Sequence, residues 1–141
     1  MSDDLFRGNI LYAGIGNPLR GDDGVGCYIA EKLSALNAGG QPDMIYQAAL
    51  EARPERVIIF DACDMGLEAG TTCMFSAEFI VDEAMSTHKI PLSLICGLIS
   101  EDTGAEVYVA GIQPASTEAG TELTEAVRNA AEKIIGRFRC S

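Results

Sequence analysis

A single histidine, His88, stands in a chain of 141 residues, so any imidazole chemistry must run through it. Two carboxylates occupy comparable positions. Asp23 lies in the glycine-rich run Gly14-Ile15-Gly16-Asn17-Pro18-Leu19-Arg20-Gly21-Asp22-Asp23-Gly24-Val25-Gly26, between a short apolar run and a helical pattern. Asp61 ends the most hydrophobic run of the chain, Arg56-Val57-Ile58-Ile59-Phe60. His88 closes Ser86-Thr87-His88, just ahead of a helical stretch opened by Pro91. In open α/β sheets ligands bind beyond the carboxyl ends of the strands, and that is where these three residues fall. They offer two oxygens and one imidazole nitrogen with open coordination positions, a set suited to zinc, nickel or manganese and unlike a closed structural zinc site.

Taken singly, each feature has a plainer reading. The glycines need only supply positive φ, and an aspartate a helix cap. Asp61 alone is a capped turn, and a lone histidine is more often a surface or core residue than a ligand. Other chemistries fit less well. A phosphate cradle would have strand, glycine loop and helix in this order, but neither GxGxxG nor GxxxxGK[ST] is present, and adjacent carboxylates repel phosphate. There is no GxSxG elbow and no HExxH. Asp61 and Asp64 are spaced by three, which is not a DxD pair. A Cys–His dyad would have to draw on one of five undistinguished cysteines, at 27, 63, 73, 96 and 140.

The elements that must position these residues read as one α/β domain spanning residues 1–141. Ile10–Ile15 is expected to be a buried strand, followed by a helix carrying Val25, Ile29, Leu33 and Leu36 and ended by the turn-rich Asn37–Pro42. Met44-Ile45-Tyr46 reads as a weak second strand, Arg56–Phe60 as the central one, and Thr71–Phe75 and Val107–Ile112 as two more. The Pro91 helix carries Leu94, Ile95, Leu98 and Ile99. The last helix has a stripe of Leu123, Val127, Ala130, Ala131, Ile134, Ile135 and Phe138, with acids early and bases late to suit the helix dipole. The expected architecture is a three-layer αβα sandwich with a twisted, mostly parallel central sheet.

Charge narrows the partners. Ten Lys and Arg against 21 Asp and Glu leave a net charge of −11, which repels nucleic acid and anionic membranes. An odd number of cysteines without CxxC indicates reduced thiols, and the acidic Met1-Ser2-Asp3-Asp4 start is not a signal peptide. With no apolar run near ~18 residues, the expectation is a soluble, cytoplasmic protein, monomeric at this size.

At these residues the chain resembles the maturation endopeptidases of [NiFe]-hydrogenases. The likeness is carried by Gly14–Gly26, by Arg53–Asp64, by Ser86-Thr87-His88, and by Gly111-Ile112-Gln113-Pro114 with Glu122–Val127 behind it. It covers most of the chain. The resemblance implies a twisted, mostly parallel sheet between helices, and removal of a C-terminal extension from a hydrogenase large-subunit precursor after nickel insertion. It maps the nickel-contacting positions onto Asp23, Asp61 and His88, and it implies that the nickel belongs to the substrate. Whether Asp23 or Asp61 acts as general base stays open, and no catalytic residue is assigned. The alternatives are a non-cleaving module that binds a nickel-loaded subunit and an unrelated metal-dependent hydrolase. The acids outside the site are expected to attract a cationic precursor tail. One departure stands out: only Gln47–Arg56 separate the expected second strand from Val57, short for a parallel crossover, so that either the crossover is trimmed or residues are missing.

Overall fold

The computed structural model describes residues 3–79 and 91–139. Among these, five strands form one sheet in the order β2-β1-β3-β5-β4, with β1 Ile10–Ile15, β2 Leu36–Gly39, β3 Arg56–Ala62, β4 Thr72–Ser76 and β5 Glu106–Ile112. The β1–β2, β1–β3 and β3–β5 pairings are parallel. β4 alone is antiparallel, closing the edge beside β5. Among the described residues four α-helices flank the sheet: α1 Val25–Lys32, α2 Asp43–Ala52, α3 Leu92–Thr103 and α4 Glu125–Arg139. The fold is the expected α/β sandwich.

Strand alternation sorts the core into two layers. Val57, Ile59, Val107 and Val109 face one way, against Ile45 and Ala49 of α2 and Leu92, Ile95 and Ile99 of α3. Ile58, Phe60, Ala110 and Ile112 face the other, against Val25 and Ile29 of α1 and Val127, Ala131 and Ile135 of α4. β3 is apolar on both faces because both are covered.

The second strand is not where hydropathy put it. Met44-Ile45-Tyr46 lies within α2, which starts after Pro42 and buries Ile45 and Ala49, four residues apart, on the sheet. The true β2, Leu36–Gly39, has no β-branched residue and reads as a turn. Leu36 continues the helical spacing of Leu33, but α1 stops at Lys32 and Ser34 takes φ 54°, which breaks the helix. The crossover from β2 to β3 is therefore a complete one, built on α2, and the expectation of a trimmed crossover or missing residues falls away. Two smaller corrections concern helix faces. Leu94 is exposed on α3, whose buried stripe is Leu92, Ile95, Cys96 and Ile99. Leu123 precedes α4 and packs from the loop.

Candidate active site at the carboxyl end of the sheet

The chain leaves β1 toward β2 on one side and returns to β3 on the other, so the carboxyl ends of β1 and β3 flank a topological switch point, the preferred ligand site of open α/β sheets. Asp61 is the sixth residue of β3, fully buried at 1% exposure. Its register partner on β5 is Gly111. Asp23 comes from the loop after β1, in a short 3-10 turn over Gly21–Gly24 that runs straight into α1. It too is buried, at 6% exposure.

Glycines bring these two elements together. A Cβ on Gly26 would sit 2.2 Å from the Phe60 carbonyl oxygen and 2.4 Å from that of Ile15, and a Cβ on Gly14 would sit 2.0 Å from the Gly26 oxygen. Without those side chains, the first turn of α1 lies directly on the ends of β1 and β3. The Asp23 turn consequently lies against β3, toward the end where Phe60 gives way to Asp61. Gly16, at φ 142°, reverses the chain where a Cβ would touch the Asp23 carbonyl oxygen at 2.0 Å.

The Asp23 carboxylate is fixed by the Asn17 amide, which donates to Oδ2 at 3.0 Å. Both carboxylates act on one neighbour. Burial first, then the charges of Glu31, Asp61 and Asp23, push the Cys27 thiol up to about 11 against a lowering hydrogen bond at Gly39. Cys27 Sγ donates to the Gly16 carbonyl at 3.6 Å. Cys63 is likewise pushed far up, by burial and then by Asp61 and Cys73. Protonated at neutral pH, Cys27 and Cys63 are poor nucleophiles. Cys27, Cys63 and Cys73 are free thiols.

Asp22, adjacent to Asp23, has a different task. It is fully buried and accepts from the amides of Ala115 (2.9 Å) and Ser116 (3.1 Å) and from the amide (2.7 Å) and hydroxyl (2.8 Å) of Thr124. Burial raises its carboxyl, but the four hydrogen bonds outweigh it and hold the group below the ordinary carboxylate range. The main chain adds Asp22 N–H to Ser116 at 2.9 Å and Gly21 N–H to Gly120 at 2.8 Å. The loop from 113 to 124 is thus a strap fastened to the Asp23 loop.

The strap also holds the loop that follows Asp61. Gln113, buried at 7% exposure, accepts from the amides of Met65 (2.6 Å) and Leu67 (3.3 Å), and its Nε2 donates to Asp64 Oδ1 (3.2 Å) and the Pro114 carbonyl (3.3 Å). Gln113 was visible in the sequence only as part of the Gly111–Pro114 run; no periodicity distinguishes it, because its role is set by partners 46 to 49 residues away.

Of the three residues proposed from sequence to bind metal, the fold brings Asp23 and Asp61 to one end of the sheet. His88, with Ser86 and Thr87, lies outside the described residues. Among the described residues no three His, Cys, Asp or Glu side chains converge as a metal-binding group, and no helix is long and apolar enough to cross a membrane.

The model of the hydrogenase maturation protease family, HycI, matches residues 27–138. The hydrogenase 3 maturation protease of Escherichia coli K12 is 34% identical over 133 residues, covering 88% of this chain and 85% of that protein. The crystal structure of a [NiFe] hydrogenase maturation protease HycI from Thermococcus kodakarensis superposes with a TM-score of 0.87 at 32% identity, over 96% of this chain and 94% of that one. The solution structure of the endopeptidase HycI from Escherichia coli gives a TM-score of 0.78 at 31% identity, over 92% and 88%.

Proposed function

The chain belongs to the hydrogenase maturation protease family and is a protease of hydrogenase processing; from that premise we propose that it removes the C-terminal extension of a hydrogenase large-subunit precursor, and that Asp23, Asp61 and His88 read the precursor's nickel. The observation that carries this reading is the placement of Asp23 and Asp61. Two buried carboxylates from separate elements lie at the switch point, with α1 pressed onto the strand ends between them. Carboxylate oxygens and one imidazole nitrogen suit nickel(II) and leave coordination positions for ligands of the substrate.

The main-chain amide of Asn17, donating to Asp23 Oδ2, holds that carboxylate in its orientation. Nickel here is part of the substrate. Its capture would hold the scissile peptide in register with the site, a positioning effect of the kind that supplies much of an enzyme's rate. In the hydrolysis, a water oxygen adds to the scissile carbonyl carbon, the C–N bond breaks, and the proton ends on the leaving amine. The base for that water is Asp23 or Asp61.

The test is to incubate the protein with nickel-loaded and nickel-free precursor and weigh the large subunit. Loss of a C-terminal peptide from the loaded form alone is expected. Binding without loss of mass identifies a non-cleaving module, and cleavage of both forms removes the nickel-reading role.

A further inference from the structure

The mechanism above uses nothing of the loop between β3 and β4, yet that loop is held more deliberately than its exposure requires. It begins two residues after Asp61 and carries Leu67, a large apolar side chain left 47% exposed at the site end of the sheet. A singly exposed leucine is ordinary in itself, and a loop of this kind is usually held by hydrogen bonds within its own turn. Here the Gln113 side-chain amide instead fixes the backbone on both sides of Gly66. Its oxygen receives the Met65 and Leu67 amides, and its nitrogen holds Asp64, which itself accepts from the Gly66 amide at 3.2 Å. Gln113 is buried, while Asp64, Gly66 and Leu67 are exposed. A rigid, buried clamp under an exposed apolar tip is an arrangement for presenting that tip.

We infer that Gln113 is a positioning residue of this protease, holding the 64–67 loop so that Leu67 forms an apolar contact for the precursor segment beside Asp61. The inference rests on the protease reading given above. The same strap that carries Gln113 reaches Asp22 through Ala115 and Ser116, so the Leu67 loop and the Asp23 loop are set relative to each other by one stretch of chain. The occupant of the Leu67 contact is an extended peptide of the precursor with an apolar side chain near its scissile bond. Gln113 touches no reacting atom, so its loss should weaken precursor docking and leave the bond-breaking step alone.

Steady-state processing of nickel-loaded precursor separates the possibilities. Gln113→Glu keeps the oxygen that receives Met65 and Leu67 but sets a second oxygen against Asp64. It should raise KM by roughly tenfold with kcat within about twofold. Adding Asp64→Asn to that variant keeps an oxygen to accept from the Gly66 amide and removes one of the two opposed charges, so KM should fall by about threefold or more from the single variant's value. Leu67→Ser, an exposed substitution that cannot unfold the core, should raise KM on its own. An unchanged KM in Leu67→Ser, a Gln113→Glu defect confined to kcat, or a double variant no better than the single one overturns the inference. Wild-type protein that cleaves normally while these variants fail the pattern sinks only the positioning role. Wild-type protein that does not cleave at all sinks the protease reading and this inference with it.

Discussion

The two ends of the sheet are built on opposite principles. At the amino end, side chains fill space: Phe138 meets Phe6 and Tyr12 edge-on at 5.6 and 5.0 Å, and Arg56 pairs with Glu106 at 3.0 Å while donating to the carbonyls of Asp4, Leu5 and Arg7. At the carboxyl end, side chains are withheld: Gly14, Gly16, Gly24 and Gly26 let main chain touch main chain, and the buried groups are Asp22, Asp23, Asp61 and Gln113. Apolar packing tolerates small shifts in its partners. Buried carboxylates do not, because each must keep its hydrogen bonds. The contrast separates an end that supplies stability from an end that holds a constellation of oxygens in place.

The strongest break in that contrast is Gly26→Ala. Its Cβ would meet two backbone oxygens at 2.4 Å or less, and backbone cannot rotate away as a side chain can. Displacement of α1 should cost about 3 kcal/mol, read by denaturant unfolding, and should separate Asp23 from Asp61 enough to abolish processing.

Next in size is Asp22→Asn, which places an amide donor among four donors. A loss of about 2 kcal/mol is expected at neutral pH. The native carboxyl lies below its unfolded value, so its contribution is complete above the unfolded pKa of about 3.9 and disappears as pH falls through the lower folded value. The melting temperatures of wild type and Asp22→Asn should therefore converge as pH drops from 7 to about 2. A constant gap would show that the carboxylate charge is not what the strap holds.

The smallest effect belongs to the other end. Phe138→Leu removes three edge-on ring contacts, to Phe6, Tyr12 and Phe60, and should cost about 1 kcal/mol, with kcat and KM for the precursor unchanged. A change in either constant would mean that the two ends are coupled.

The sequence made the carboxyl end legible and hid part of the frame. Asp61 stood out because an acid after four large apolar residues has no reason to be there unless a buried end needs it. Asp23 stood out through the glycines around it. β2 was missed because Leu36–Gly39 is short and carries neither β-branched nor aromatic residues, while Met44–Tyr46 imitates a strand until Ile45 and Ala49 are seen to be spaced for a helix. Asp22 shares the glycine-rich run with Asp23, and Gln113 sits in a turn without periodicity. What separates them is hydrogen bonding to chain more than 40 residues distant, which no local pattern records.

The central claim is that two buried carboxylates and the single imidazole read nickel in the precursor. It is tested most directly by His88→Ala acting on nickel-loaded precursor, with circular dichroism and melting temperature followed on the same sample. The account predicts an intact fold and a large subunit that keeps its full precursor mass. Cleavage at the wild-type rate by that variant would contradict it.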